Sequence, residues 1–169
     1  MADNMQSLAL TGGEASIEGA VSIEATAAGV QPWRLPLAER DLFEPSVVNK
    51  ASMPAGVRLT FVSDTASVRL DIVPPGVEPD PPWVFDLLVD GELHQRLAPP
   101  PDAESLHFTD VPAGEHRLEL YLPSQYAPVA IRDLKVSAGA LVHGWHDERR
   151  RIVLYGSSTF VYCRQTQRR

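Results

Sequence analysis

The run Val57-Arg58-Leu59-Thr60-Phe61-Val62 is followed, after Ser63-Asp64-Thr65, by Val68-Arg69-Leu70-Asp71-Ile72. Apolar residues at every second position place one side of an extended chain in a core and leave the other in water. Two such runs joined by residues of turn composition predict a β-hairpin. The pattern returns downstream. Trp83, Phe85, Leu87 and Val89 alternate up to Asp90-Gly91, a two-residue hairpin signal, so that Leu93 to Leu97 should return beside them. Leu106 to Thr109, a turn at Pro112-Ala113-Gly114, and Arg117 to Leu122 follow. In the last of these Leu118, Leu120 and Leu122 point one way, Glu119 and Tyr121 the other. Val129, Ile131, Leu134 and Val136 make a further strand, and the slip of phase between Ile131 and Leu134 predicts a bulge near Asp133.

Upstream, Ile17, Ala20, Val21 and Ile23 are interspersed with Glu18 and Glu24, which suits an edge strand over Ser16 to Thr26. A helix over 14–28 is the alternative, since Ala and Glu are good helix formers. Trp33, Leu35 and Leu37 alternate with Arg34 and Pro36, an extended segment with one face inward. Residues 1–15 are polar, carry Gly12-Gly13, and are expected to fray. Many short strands, turns every 8–12 residues or so and almost no helix describe an all-β antiparallel sandwich or jelly roll over residues 16–138.

Composition fits that class. The chain has 169 residues with 15 prolines, and proline is tolerated poorly inside helices and central strands, which implies short elements punctuated by turns. A single cysteine, Cys163, excludes an internal disulfide and the multi-cysteine zinc sites. No apolar run approaches the roughly 18 residues of a spanning helix, and the start MADNMQSLALTGG lacks the pattern of an export signal. A soluble, cytoplasmic protein without membrane contact is expected. The formal charge of −7 argues against a general nucleic-acid binder, because phosphate attraction supplies most non-specific affinity. Charge is uneven, however: residues 149–169 carry six arginines and no acid, and read as solvated residues of a different piece of protein.

Residues 139–151 read as a linker. Beyond them Ile152-Val153-Leu154-Tyr155 is apolar without alternation, the mark of a strand buried on both faces as in a parallel sheet, and Gly156-Ser157-Ser158-Thr159 follows directly. A nucleophilic serine works best at a tight turn after such a strand, with backbone N–H groups near it to hold an oxyanion, and Gly156 lets the backbone turn closely. The motif is not the Gly-x-Ser-x-Gly elbow. On spacing alone Gly-Ser-Ser is a weak signal, and an ordinary polar turn after a strand explains it better.

His143-Gly144-Trp145-His146-Asp147-Glu148 packs two imidazoles and two carboxylates together, but Gly144 weakens a helix and no third ligand is identifiable, so no metal or other cofactor is expected. His94, His107 and His116 lie in or beside alternating strands as solvent-facing partners. Trp33, Trp83, Tyr121 and Tyr126 raise a second class of function, a carbohydrate-binding sandwich in which flat aromatics stack on sugars. Of these, Trp83 and Tyr121 are the substrate-binding candidates. Tyr121 is favoured because it points opposite to the leucines of its strand.

The segment Arg151-Ile-Val-Leu-Tyr-Gly-Ser-Ser-Thr resembles the first motif of the SGNH (GDSL-type) hydrolases, in the variant where Gly-Asp-Ser becomes Gly-Ser-Ser. The region before it is similar to the jelly-roll accessory domain that precedes the catalytic domain in some of these esterases. Its likeness lies in Leu118-Glu-Leu-Tyr-Leu-Pro-Ser-Gln-Tyr-Ala-Pro-Val, Pro54-Ala-Gly-Val-Arg-Leu-Thr-Phe and Phe85-Asp-Leu-Leu-Val-Asp-Gly. The resemblance implies that Ser158 is the nucleophile, that its N–H helps form the oxyanion hole, and that the reaction is ester hydrolysis through an acyl-serine. Acylated carbohydrates are among the substrates implied. A later Gly, an Asn and an Asp-x-x-His pair complete the family's site, and these cannot lie in the eleven residues after Ser158. The chain is therefore expected to be an accessory sandwich followed by residues 152–169, the truncated first strand and motif of an α/β hydrolase domain, and not catalytically competent as it stands. Exposed Ile152, Val153, Phe160 and Val161 would favour self-association through residues 152–163.

Overall fold

The computed structural model describes residues 4–11, 13–76, 79–124 and 127–145. Along the chain run β1 (Met5–Ser7), β2 (Ser16–Glu18), β3 (Ser22–Thr26), β4 (Gly29–Trp33), a 3-10 helix (Leu37–Leu42), α1 (Pro45–Ala51), β5 (Arg58–Ser63) and β6 (Val68–Ile72). Then come β7 (Phe85–Val89), β8 (Glu92–Leu97), β9 (Ser105–Phe108), β10 (His116–Tyr121), β11 (Ile131–Ser137) and β12 (Val142–His143). They form two antiparallel sheets. The first has the order β3-β4-β11-β6-β9, with β1 also on β11, and the second the order β12-β5-β10-β7-β8, with β2 also on β5. The protein is an all-β sandwich. No helix among the described residues is long and apolar enough to cross a membrane.

The alternation marks the inner faces faithfully. Leu59, Phe61, Leu87, Leu118 and Leu120 of the second sheet, and Val68, Leu70, Phe108, Leu134 and Val136 of the first, are all fully buried in one core. Asp90 (φ 52°) and Gly91 (φ 90°) make the left-handed turn between β7 and β8, and the register of β11 shifts between Ile131 and Asp133, where the bulge was expected.

The connection between β5 and β6 differs from the expected hairpin. β5 pairs with β10, whereas β6 pairs with β11 and β9 in the other sheet, so the chain crosses the core at residues 64–67. Stacking the two strands face to face buries the same apolar residues that a hairpin would have laid side by side. The crossing is fastened by Thr65, which is 1% exposed: its hydroxyl donates to the Ser67 carbonyl (2.7 Å) and accepts from the Ser137 N–H (3.0 Å) on β11.

Three further departures have local causes. The strand expected over Ser16 to Thr26 breaks into β2 in the second sheet and β3 in the first. The break falls at Gly19, whose φ is +84° and where a Cβ would lie 2.6 Å from the Gly56 carbonyl oxygen. The N-terminus, expected to fray through residue 15, is held. Met5–Ser7 pairs with Lys135–Ser137, the Gln6 amide donates to the Ala140 carbonyl (2.8 Å), and Leu8 and Ala15 are buried. Finally, Val142–His143, placed in the linker by sequence, pairs with β5 at Val62 and Ser63.

Residues 37–51 are helical rather than extended. Pro45 starts α1, where its missing N–H costs nothing, and Leu37 and Val48 pack on a small second core of Trp33, Leu35 and Ala51. Arg34 holds the far end of this helix by donating to the carbonyls of Lys50 (2.5 Å) and Met53 (2.7 Å).

Phe61 lies at the centre of the main core. Truncation to alanine should lower stability by about 3–5 kcal/mol, read as a fall in the urea midpoint at unchanged slope.

Candidate functional site

β5 and β10 set the outer face of the second sheet. With Leu118 opposite Phe61 and Leu120 opposite Leu59 turned inward, the pairs Thr60–Glu119 and Arg58–Tyr121 turn outward. Glu119, with its side chain only 2% exposed, lies between two guanidinium groups, Arg58 Nε at 3.2 Å and Arg117 Nε at 3.1 Å. Arg58 also donates to Glu18 on β2 (2.6 Å) and to the Tyr121 hydroxyl (3.1 Å), and its guanidinium carbon lies 5.6 Å from the centre of that ring. Burial works against the charge on Arg58, but Tyr121, Glu119 and Glu18 outweigh it and raise its pKa. At the next strand Arg96 grips Asp86 with two bonds of 2.7 Å. The Trp145 ring centre lies 4.7 Å from the Arg117 guanidinium carbon.

One edge of the sheet carries a histidine–carboxylate pair. His116 Nδ1 lies 2.7 Å from Asp90 Oδ2, and the other oxygen of Asp90 accepts the Arg117 N–H at 2.9 Å. The hydrogen bond from His116, then that from the Arg117 N–H, lowers the Asp90 pKa, and the same bond to Asp90 raises that of His116. The pair fastens the β7–β8 turn to β10, and Ser63 of β5 stands opposite His116 in the strand register. The remaining described histidines are engaged as well. His94 contacts the Thr109 carbonyl (2.9 Å), His143 contacts Glu115 (3.3 Å), and His107 also has a partner. No group of three His, Cys, Asp or Glu side chains is placed to hold a metal among the described residues.

At the other end of the molecule an open groove of about 560 Å³ lies beside the helical corner, lined by Trp33, Arg40, Phe43, Pro45, Val48 and Asn49 among others. Val21, Ile23, Leu42, Phe43 and Val47 are exposed around this corner. Apart from Trp33, its lining residues lie in a stretch, 38–53, whose sequence pattern gave no element.

The two aromatic candidates lie in different surroundings. Trp83 is 3% exposed and packs edge-on against Phe85 at 6.2 Å in the core, so it presents no face to a ligand. Tyr121 does turn outward, but Arg58 covers one face of its ring. Gly156, Ser158 and the segment 152–163 lie outside the described residues, as do His146 and Tyr126.

Residues 15–129 match the family described as the SsfX3 N-terminal domain, over more than half of the chain. The chain belongs to that family. Its sandwich superposes on a solved salicylyl-acyltransferase, SsfX3 from a tetracycline biosynthetic pathway, with a TM-score of 0.74 and 28% identity over 87% of this chain. A GDSL-like lipase from Bacteroides ovatus shares the fold at a TM-score of 0.68 and 17% identity over 85% of this chain. The chain spans 43% and 44% of the lengths of these two proteins. No curated protein matches it. In this SsfX3 N-terminal domain, the described polar and apolar surfaces therefore belong to an accessory domain.

Two outcomes follow from the outer face. Glu119→Ala leaves two guanidinium groups facing each other across a largely dry site and should cost about 3 kcal/mol or more in urea unfolding, with Glu119→Gln costing less. In an NMR titration His116 should titrate above the ordinary histidine value and fall back toward it in Asp90→Asn. The stabilisation from this pair is complete between the ordinary Asp and His values, about pH 4 to 6.5. It is lost as pH rises through the raised His116 pKa and as pH falls through the lowered Asp90 pKa.

Proposed function

We propose that the chain is the N-terminal accessory sandwich of an SGNH-type serine esterase or acyltransferase, and that Ser158 opens the catalytic half as its nucleophile. The observation that carries this reading is an order of parts. A match to the SsfX3 N-terminal domain over residues 15–129 is followed by a continuous apolar strand sequence, Ile152 to Tyr155, and then by Gly156-Ser157-Ser158.

In the reaction the Ser158 hydroxyl oxygen attacks an ester carbonyl while a base takes its proton. The backbone N–H of Ser158 donates to the developing oxyanion, the alcohol leaves, and an acyl-serine remains. Water or an acceptor alcohol then takes the acyl group, releasing the serine. Hydrolysis and acyl transfer differ only in that acceptor, so likeness to a salicylyl-acyltransferase and to a GDSL-like lipase is compatible with one chemistry. Esters are the substrate class, acylated carbohydrates included. A serine hydroxyl without a base is almost wholly protonated at neutral pH and a poor nucleophile. The resemblance to the SGNH hydrolases puts that base in the Asp-x-x-His pair of the catalytic half.

The coding sequence tests this directly. Nucleotides downstream of the Arg169 codon, read in all three frames, should encode an Asp-x-x-His pair. Its absence from every frame would overturn the reading.

A further inference from the structure

We infer that two histidine–carboxylate pairs, His143 with Glu115 and His116 with Asp90, form a pH-sensitive latch on β12. The strand stays on the edge of the second sheet while both imidazoles are protonated and comes away as they lose their protons. The inference stands on the sandwich alone and goes beyond the proposed function.

The two pairs share one place in the fold. His116 is the first residue of β10 and Glu115 immediately precedes it. In the register of the sheet His116 lies opposite Ser63 of β5, and Ser63 opposite Val142 of β12. Arg117, Val62 and His143 make the next row. Within these rows the Glu115 carboxylate reaches His143 Nε2 at 3.3 Å, and Asp90 holds His116 Nδ1 from the β7–β8 turn at 2.7 Å.

The partners of both rings are acceptors. His116 faces the Asp90 carboxylate with Nδ1 and the Ala113 carbonyl with Nε2 (3.4 Å). His143 faces the Gly144 carbonyl with Nδ1 (3.3 Å) and the Glu115 carboxylate with Nε2. A neutral imidazole carries one N–H and donates to one of two such partners, whereas an imidazolium donates to both. Loss of the proton therefore removes one bond at each ring and the charge opposite each carboxylate. The bond to Asp90 raises the His116 pKa, so its share of the latch is lost as pH rises through that raised value. Arg117 and Asp64 are also packed here. Arg117 bonds to Glu119 and lies beside Gly91, and Asp64 accepts the Leu141 N–H at 2.8 Å; these bonds involve no imidazole.

β12 is the part free to respond. It is two residues long, and just before it the chain is held by bonds that do not titrate with histidine: the Gln6 amide to the Ala140 carbonyl, and Leu141 to Asp64. Release therefore stops at Leu141. The side chains of His143 and Glu115 keep 56% and 58% of their exposure, and a pair so exposed contributes little. A two-residue edge strand is an element whose local opening such a small contribution shifts.

The test is amide exchange of the 169-residue chain by NMR at about pH 6 and about pH 9, either side of the histidine range, with each rate divided by its intrinsic rate. Opening at Val142 to Trp145 should rise at least about threefold, the size expected of exposed ion pairs, while Leu141, Leu118 and Leu120 stay level. The rise should fall by about half or more in His143→Gln and in Glu115→Gln, and vanish when His116→Gln is added to His143→Gln. If His116→Gln disturbs the fold by circular dichroism, the other two variants carry the comparison. Equal opening at both pH values, or an undiminished rise in His143→Gln, would overturn the inference. So would an equal rise at Leu141 and along β10, which would mean that the whole end of the sheet loosens and β12 is not separately latched.

Discussion

The pairing of β5 with β10 in a single register fixes both sides of the second sheet. Placing Leu118 against Phe61 and Leu120 against Leu59 builds the core, and the same alignment necessarily stacks Glu119 on Thr60 and Tyr121 on Arg58 outside it. Because side chains alternate with a period of two, a slip by one residue would put Glu119 in the core and the leucines in water. The rest of the sheet is organised around these two strands. β7 joins the free edge of β10, while β2 and β12 share the free edge of β5. The Thr65 crossing then carries the chain to the other layer, where Val68, Leu70 and Ile72 close the core from the opposite side.

Alternation shows which side of a strand faces the core, and it was legible throughout: at Leu59 and Phe61, at Leu118 and Leu120, and in the slip at Asp133. It does not show which strand lies alongside. A hairpin and a crossing bury Leu59 and Leu70 equally well, so the sheet change at residues 64–67 could be settled only by tertiary pairing. The break at Gly19 was hidden for a related reason, since its cause is the Gly56 carbonyl on a distant segment. β1 is three residues long and depends on β11 and the Gln6 amide, neither of which a local pattern reveals. The helical corner was not visible because α1 is only seven residues long, too short for a clear period, and is opened by Pro45.

The candidate site was less legible. Ser158 and its motif are read from the sequence and lie outside the described residues, and the outer face of the second sheet could not be anticipated. Glu119 looks like any charged residue on the wet side of a strand. Its burial comes with Arg58 and Arg117 lying beside it, which alternation alone does not show. Trp83 alternates with core residues and lies in the core with them, while Tyr121 turns outward as its strand pattern implies.

Membership in the SsfX3 N-terminal domain family agrees with the proposed reading of the chain as an accessory sandwich, in which the base for Ser158 would come from another part of the protein. The most direct measurement is fluorophosphonate labelling of the purified 169-residue chain, read by intact mass and peptide mapping beside Ser158→Ala. The account predicts no adduct above the level of the alanine variant. An adduct confined to Ser158 would show that the chain carries its own base, and would contradict the view that catalysis needs a second half.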